Sequence, residues 1–186
     1  MNSGMMSKVR LKFHSVGEIV GSDELAIITL TDEPMERMIT IVCDKAMAVQ
    51  LELRAKQIPI TRIMLPEVLA GILKDQAGIM MDILITDIIE GQYRTLLYNR
   101  VTLETIPIRA SDAVLLSLAA RIPIYMESSL MTRQSVRFSG MSNAISMPVN
   151  TLSTEMLDQA LQKAVEDENY ELASHLRDEK KRREKQ

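Results

Sequence analysis

Apolar and polar residues alternate at the start of the chain: Val9, Leu11 and Phe13 fall on one face, Lys8, Arg10, Lys12 and His14 on the other. A period of two marks a half-buried strand. Past Gly17 and a Gly21-Ser22-Asp23 turn, Leu25–Leu30 reads as a second strand, broken by Asp32-Glu33-Pro34, and Ile39–Cys43 as a third. Asp44 suits the N-cap of a helix from Lys45 to about Lys56, with Ala48, Leu51 and Ala55 on one stripe. Pro59 ends that region. Pro66 fits the first turn of another helix, in which Leu65, Leu69, Ile72 and Leu73 are expected to face inward before Gly78 stops it.

A three-stranded meander follows, with Met81–Ile89 and Tyr93–Tyr98 joined at Glu90-Gly91-Gln92 and Asn99-Arg100 leading into Thr102–Ile108. Ser111 to Ala120 is a helix apolar almost all round, which predicts burial on most sides. The sheet is therefore expected to curl around it. Pro123–Met126 predicts a short strand and Glu127–Met131 a helical turn. Residues 133–153 are rich in Ser, Met, Asn and Thr without periodicity, as in a flexible linker. From Thr154 the helical period returns in two stripes around Asp167-Glu168-Asn169. The pattern predicts an α+β protein: a mixed, largely antiparallel curled sheet around a buried helix over residues 7–132, a linker over 133–153, and an α-helical hairpin over 154–186.

The hairpin changes the picture because it is too small to hide its own apolar surface. Leu157, Leu161, Val165, Tyr170, Leu172 and Leu176 would each gain about 1.5–3 kcal/mol from burial. Segments this short are marginal without a metal, a disulfide or a partner. These six residues are the candidate partner-binding surface. The run from Leu157 to Glu179, with its acidic turn, Tyr170, Glu171-Leu172-Ala173 and Leu176-Arg177-Asp178-Glu179, resembles the UVR motif of bacterial excision-repair subunits and Clp-associated regulators. That resemblance implies a hairpin that pairs with a like hairpin into a four-helix bundle.

Composition narrows the chemistry. The single cysteine, Cys43, excludes an internal disulfide and a cysteine-based zinc site, and it reads as a small buried hydrophobe. The two histidines, His14 and His175, lie in different parts of the chain. No apolar run reaches the ~20 residues of a membrane span, and no signal-peptide layout opens the chain, so the cytoplasm is the expected compartment and no membrane a partner. Net charge is −3, and residues 1–132 hold 13 basic against 16 acidic side chains. Nucleic-acid binding is mostly phosphate neutralisation, so a DNA or RNA site must come from local clustering of positive charge. Lys8, Arg10 and Lys12 are the candidate nucleic-acid contacts; the alternative is the solvated face of an edge strand, kept soluble by lysine.

Metal-assisted phosphodiester hydrolysis needs converging carboxylates. Asp82, Asp87, Glu90, Glu104 and Asp112 are available without an Asp-x-Asp motif to gather them. Asp112 is best placed, since it opens the apolar helix beside Arg109. The alternative there is structural: Ser111 caps the helix, Asp112 favours its positive end, and Arg109 pairs with Asp112.

Arg109-Ala110-Ser111-Asp112-Ala113, the apolar helix after it, and Ile122-Pro123-Ile124-Tyr125 together resemble the Arg-Pro-Ser-Asp-Ala … Pro-Ile-Tyr signature of the bifunctional nuclease (BFN) family of bacteria and plants. The likeness covers nearly all of residues 7–132. It implies cleavage of DNA and RNA, a divalent ion such as Mg²⁺ or Mn²⁺, self-association, and Arg109, Ser111 and Asp112 as candidate catalytic residues. The chain departs from the family pattern at Thr40-Ile41-Val42-Cys43-Asp44, where Pro-Ile-x-Ile-Gly is common, and at Met47, where a Glu is common. The family's Arg-Pro-Leu-Thr-His-Asp stretch stands here as Arg62-Ile63-Met64-Leu65-Pro66-Glu67, without the histidine. Two readings stay open: a nuclease with a protein-binding tail, and an adaptor that keeps the fold without the activity.

Overall fold

The structure, a computed structural model, describes residues 7–19, 24–75, 80–138, 154–166 and 170–183. The expected turn at Gly21-Ser22-Asp23, the stop at Gly78, the linker beyond residue 138 and the turn at Asp167-Glu168-Asn169 lie outside them, as do the side chains of Leu73, Leu172 and His175. The chain divides into two compact units.

In the larger unit, β1 (Lys8–Glu18), β2 (Leu25–Asp32) and β3 (Arg37–Asp44) form an antiparallel meander. Asp32 builds the turn between the last two, its Oδ1 accepting from the backbone N–H of Glu36 (2.8 Å) and Arg37 (3.0 Å). Helix α1 (Lys45–Ala55), a 3₁₀ turn (Pro59–Ile63) and α2 (Leu65–Asp75) follow. Then come β4 (Met81–Ile89), β5 (Gln92–Asn99), β6 (Thr105–Ile108), α3 (Ala110–Ala120), β7 (Ile124–Glu127), α4 (Ser128–Gln134) and β8 (Val136–Arg137). The order across the eight-stranded sheet is β6-β5-β4-β7-β1-β2-β3-β8. β7 runs parallel to β4 and antiparallel to β1. Register aligns Ile83 with Ile124 and Ile124 with Leu11, an apolar row across β4, β7 and β1; a second row sets Phe13 against Leu30 and Leu30 against Ile39. Every residue of β2 from Ala26 to Asp32 is buried, which requires cover on both faces of that strand.

Four expectations are corrected. The sheet is open rather than curled, since β6 and β8 are separate edges. Helix α3 is buried only at Ala110, Ser111, Ala113 and Val114; from Leu115 onward it is half-exposed, because it packs on α1, α2 and β3 along one side. Leu65, Leu69 and Ile72 of α2 point outward, and no residue of that helix whose side chain is described is buried. The region expected to open a linker instead finishes the domain: α4 runs to Gln134, and β8 pairs with β3 at Arg37 and Met38. Arg37 locks it there, donating from Nε to Ser135 Oγ (2.6 Å) and from Nη2 to the Ser135 carbonyl (2.9 Å).

The second unit, which also takes in Ile88–Gln92, holds two helices, α5 (Thr154–Glu166) and α6 (Tyr170–Arg183). Leu157, Ala164, Ala173 and Leu176 form one buried cluster, with Ala160 and Leu161 partly buried against it. Of the six candidate partner-binding residues, Leu157, Leu161 and Leu176 are thus spent on this core, a correction to the expected open stripe. Val165 and Tyr170 remain exposed. Among the described residues, no helix is long and apolar enough to cross a membrane.

Candidate functional site

The starts of α1 and α3 come together through charge. Asp44 ends β3 and caps α1, its Oδ1 accepting from the Met47 N–H at 2.7 Å, as the sequence predicts. Arg109 occupies the cap position of α3 in extended conformation without a side-chain cap bond. Its side chain folds onto the first turn instead, donating from Nε to Asp112 Oδ2 (2.9 Å) and from Nη2 to Asp112 Oδ1 (3.1 Å). Nη1 lies 3.6 Å from Asp44 Oδ2. One guanidinium therefore links two carboxylates from different elements.

All three side chains are open to solvent: Arg109 is 61% exposed, Asp44 47% and Asp112 41%. Ion pairs this exposed contribute about 0–1 kcal/mol to stability. What the bidentate bond does is fix the plane of the guanidinium. The hydrogen bond that Arg109 donates to Asp112 also raises the Arg109 pKa, so the cation is permanent. Nη1 faces Asp44, and the guanidinium as a whole stays open to solvent, a planar donor set of the kind that suits a phosphate. Ser111 is not part of this surface: at 3% exposure its side chain belongs to the packed side of α3, and the cap position expected for it is held by Arg109. Cys43, one residue before Asp44, is buried, and burial followed by the charge of Asp44 pushes its thiol up to about 11. It is no nucleophile at neutral pH.

The basic stripe is placed elsewhere. Lys12 pairs in register with Thr31 and Thr31 with Met38, six residues before Asp44 on β3, a separation of roughly 20 Å along the strands. β1 is an interior strand between β7 and β2, so the edge-strand explanation for its lysines fails. Each cation has an acidic partner: Lys8 Nζ is 3.2 Å from Asp82, and Lys12 (3.3 Å) and Arg10 (3.6 Å) share Glu33.

Sequence reasoning missed what Asp82 does. It is almost fully buried on β4, with Lys8 on one oxygen and Arg100 Nε 3.5 Å from the other, too loosely placed for a hydrogen bond. Lys8 also sits 3.9 Å over the Tyr125 ring. Asp82 and Ile83 are both buried although they are neighbours on β4, so the strand's period gave no sign that a core position would be acidic.

A divalent ion does not fit these residues as they stand. Among the described residues no three carboxylate, imidazole or thiol groups converge. Asp44 and Asp112 do share a centre, but the Arg109 guanidinium fills it and would repel a cation placed there.

Fold and site together define a mixed α+β domain that carries an anchored arginine at its surface. The chain belongs to the bifunctional nuclease domain family: that family's model matches residues 28–139, more than half of the sequence. The match takes in Asp44, Arg109 and Asp112 and excludes Lys8, Arg10 and Lys12. No curated protein matches the chain.

Proposed function

We propose that the chain cleaves phosphodiester bonds of DNA or RNA, with Arg109 binding the scissile phosphate. The observation that supports this is the bidentate Arg109–Asp112 bond, which orients a permanent cation at the surface. Asp112 is then a positioning residue. Hydrolysis forms a bond from water oxygen to phosphorus, breaks the bond to the sugar oxygen, and moves one proton from the water, by way of a base, to that leaving sugar oxygen. Asp44, whose Oδ2 is loosely held by Arg109, is the carboxylate placed to accept that proton. Arg109 would offset the charge that builds on the phosphoryl oxygens, the kind of contribution whose loss typically costs 10²–10³ in rate.

The test is incubation of the purified full chain with single-stranded DNA, duplex DNA and RNA, each with Mg²⁺, with Mn²⁺ and with chelator. Cleavage that falls at least about 100-fold in Arg109→Ala, and less in Asp112→Asn, is the expected result. Clean preparations with no turnover on any substrate would remove the enzyme reading. The adaptor reading would then stand, favoured by the outward apolar face of α2.

The hairpin is proposed to bind protein, by pairing with a like hairpin as its UVR-like sequence implies. Exposed Val165 and Tyr170, near the facing ends of α5 and α6, support this as the part left for a partner. Light scattering on the full chain and on a chain ending at Phe138 checks it: lost mass supports pairing, and unchanged mass counts against it.

A further inference from the structure

We infer, on the reading that Arg109 binds the scissile phosphate, that its site takes a small phosphodiester of dinucleotide size in preference to the interior of a long strand. What argues for this is the charge around that arginine. Asp44 stands opposite Leu25 in the β2–β3 register, and Glu18, the last residue of β1, stands opposite Ala26. The Lys45 N–H donates to the Glu24 carbonyl at 2.9 Å. Glu18, Glu24, Asp44 and Lys45 therefore share one end of this meander, and Arg109 ties Asp112 to it through Asp44. Four carboxylates meet two cations there, and both cations are engaged. Arg109 spans Asp44 and Asp112, and Lys45 Nζ lies 3.7 Å from exposed Glu18. The positive starts of α1 and α3 are answered too, by Asp44 and Asp112. Among the described residues no other Lys or Arg is next to this group in sequence or in strand register.

One phosphate can take the solvent-open guanidinium as its partner. A strand cannot stop at one. It carries a charge every few ångströms, and holding it requires several of those charges to be neutralised. Here the neighbouring phosphates would lie against carboxylates and be repelled at short range. The basic stripe offers no relief: Lys8, Arg10 and Lys12 lie roughly 20 Å away along the strands, and each already holds an acidic partner. A dinucleotide brings a single phosphodiester and escapes the repulsion. Its hydrolysis adds water oxygen to phosphorus and breaks the bond to one sugar oxygen, which leaves with the proton. The products are one nucleoside and one nucleoside monophosphate. A strand is cleaved by the same step, but more slowly for each bond it offers.

The experiment compares kcat/KM per bond of the full chain on uridylyl-uridine and on a uridine strand of about twenty nucleotides, with Mg²⁺ or Mn²⁺ held constant. We expect the dinucleotide to be favoured at least about 10-fold at low salt. Raising NaCl from about 20 to about 200 mM should speed cleavage of the strand, because screening weakens the repulsion, and should not speed the dinucleotide. A cationic groove would give the opposite sign, losing the strand as salt rises. Glu18 and Glu24 are both exposed, so Glu18→Gln/Glu24→Gln should keep the fold. That variant should raise strand cleavage at least about 10-fold and change the dinucleotide by less than about twofold. Strand cleavage that matches the dinucleotide bond for bond, falls with salt, or ignores the glutamine variant would overturn the preference and leave the role of Arg109 standing. No turnover of either substrate, or turnover that survives Arg109→Ala, would remove that role and the preference with it.

Discussion

Burial, before any neighbouring charge, raises the Cys43 thiol from its ordinary 9.0 to about 11. Below about pH 9 the thiol is protonated in folded and unfolded chains alike. Between about pH 9 and 11 only the unfolded chain ionises, so stability is lost as pH rises through that window. Urea midpoints measured from pH 8 to 11 should fall more steeply for the wild type than for Cys43→Ala. Tyr93 is raised by burial in the same sense, and its hydroxyl has no hydrogen-bond partner among the described residues. Tyr93→Phe should therefore leave the thermal midpoint unchanged or raise it, because it removes a buried polar group that gains nothing. At this scale the sequence spoke unevenly. Asp44 as a cap and Arg109 paired with Asp112 follow from local spacing, which any helix start imposes. The burial of Asp82 and Arg54 depends on partners far along the chain, and no local pattern carries that information.

Between residues and the whole fold, the β4–β5 turn shows how tightly element chemistry is set. Glu90 and Gly91 both have positive φ, 52° and 77°, the conformation of a two-residue hairpin turn that favours Asn-Gly. Glu90→Asn should add about 0.5–1 kcal/mol, read from chemical denaturation, since asparagine tolerates the left-handed region better than glutamate. The α1–α2 connection rests on Arg54, buried, donating to Glu67 at 2.7 Å and to the Gln50 carbonyl at 2.8 Å. Glu67→Ala leaves that cation buried without its carboxylate and should cost about 3 kcal/mol. A charge-neutral double change of Arg54 and Glu67 should cost less, which separates the ion pair from packing. The period of α2 was legible, but its direction was not: a stripe at helical spacing says that something covers it, not whether the cover belongs to the same chain. The same limit applies to α3, whose uniform apolarity suggested enclosure. Alternation in β1 likewise revealed a strand without revealing that it sits inside the sheet.

For the molecule as a whole, the boundary at residue 132 suggested by composition is wrong by one strand. A chain cut there loses β8, both Arg37 bonds to Ser135, the Phe138 N–H bond to the Glu36 carbonyl and the edge-on packing of Phe138 against His14. It should be less stable by at least about 2 kcal/mol than a chain ending at Phe138, as urea unfolding of the two would show. The Ser-, Met-, Asn- and Thr-rich composition of residues 133–153 hid a strand of only two residues. The placement of β7 has a consequence for how the protein is made. This four-residue strand wedges between β1, near the start of the sequence, and β4, about seventy residues later. While the ribosome is still working toward residue 124, both of those strands stand with bare backbone edges. Nascent chains stalled or truncated before that point are the ones that should stick to each other or need a chaperone, because synthesis supplies the keystone of the arch late.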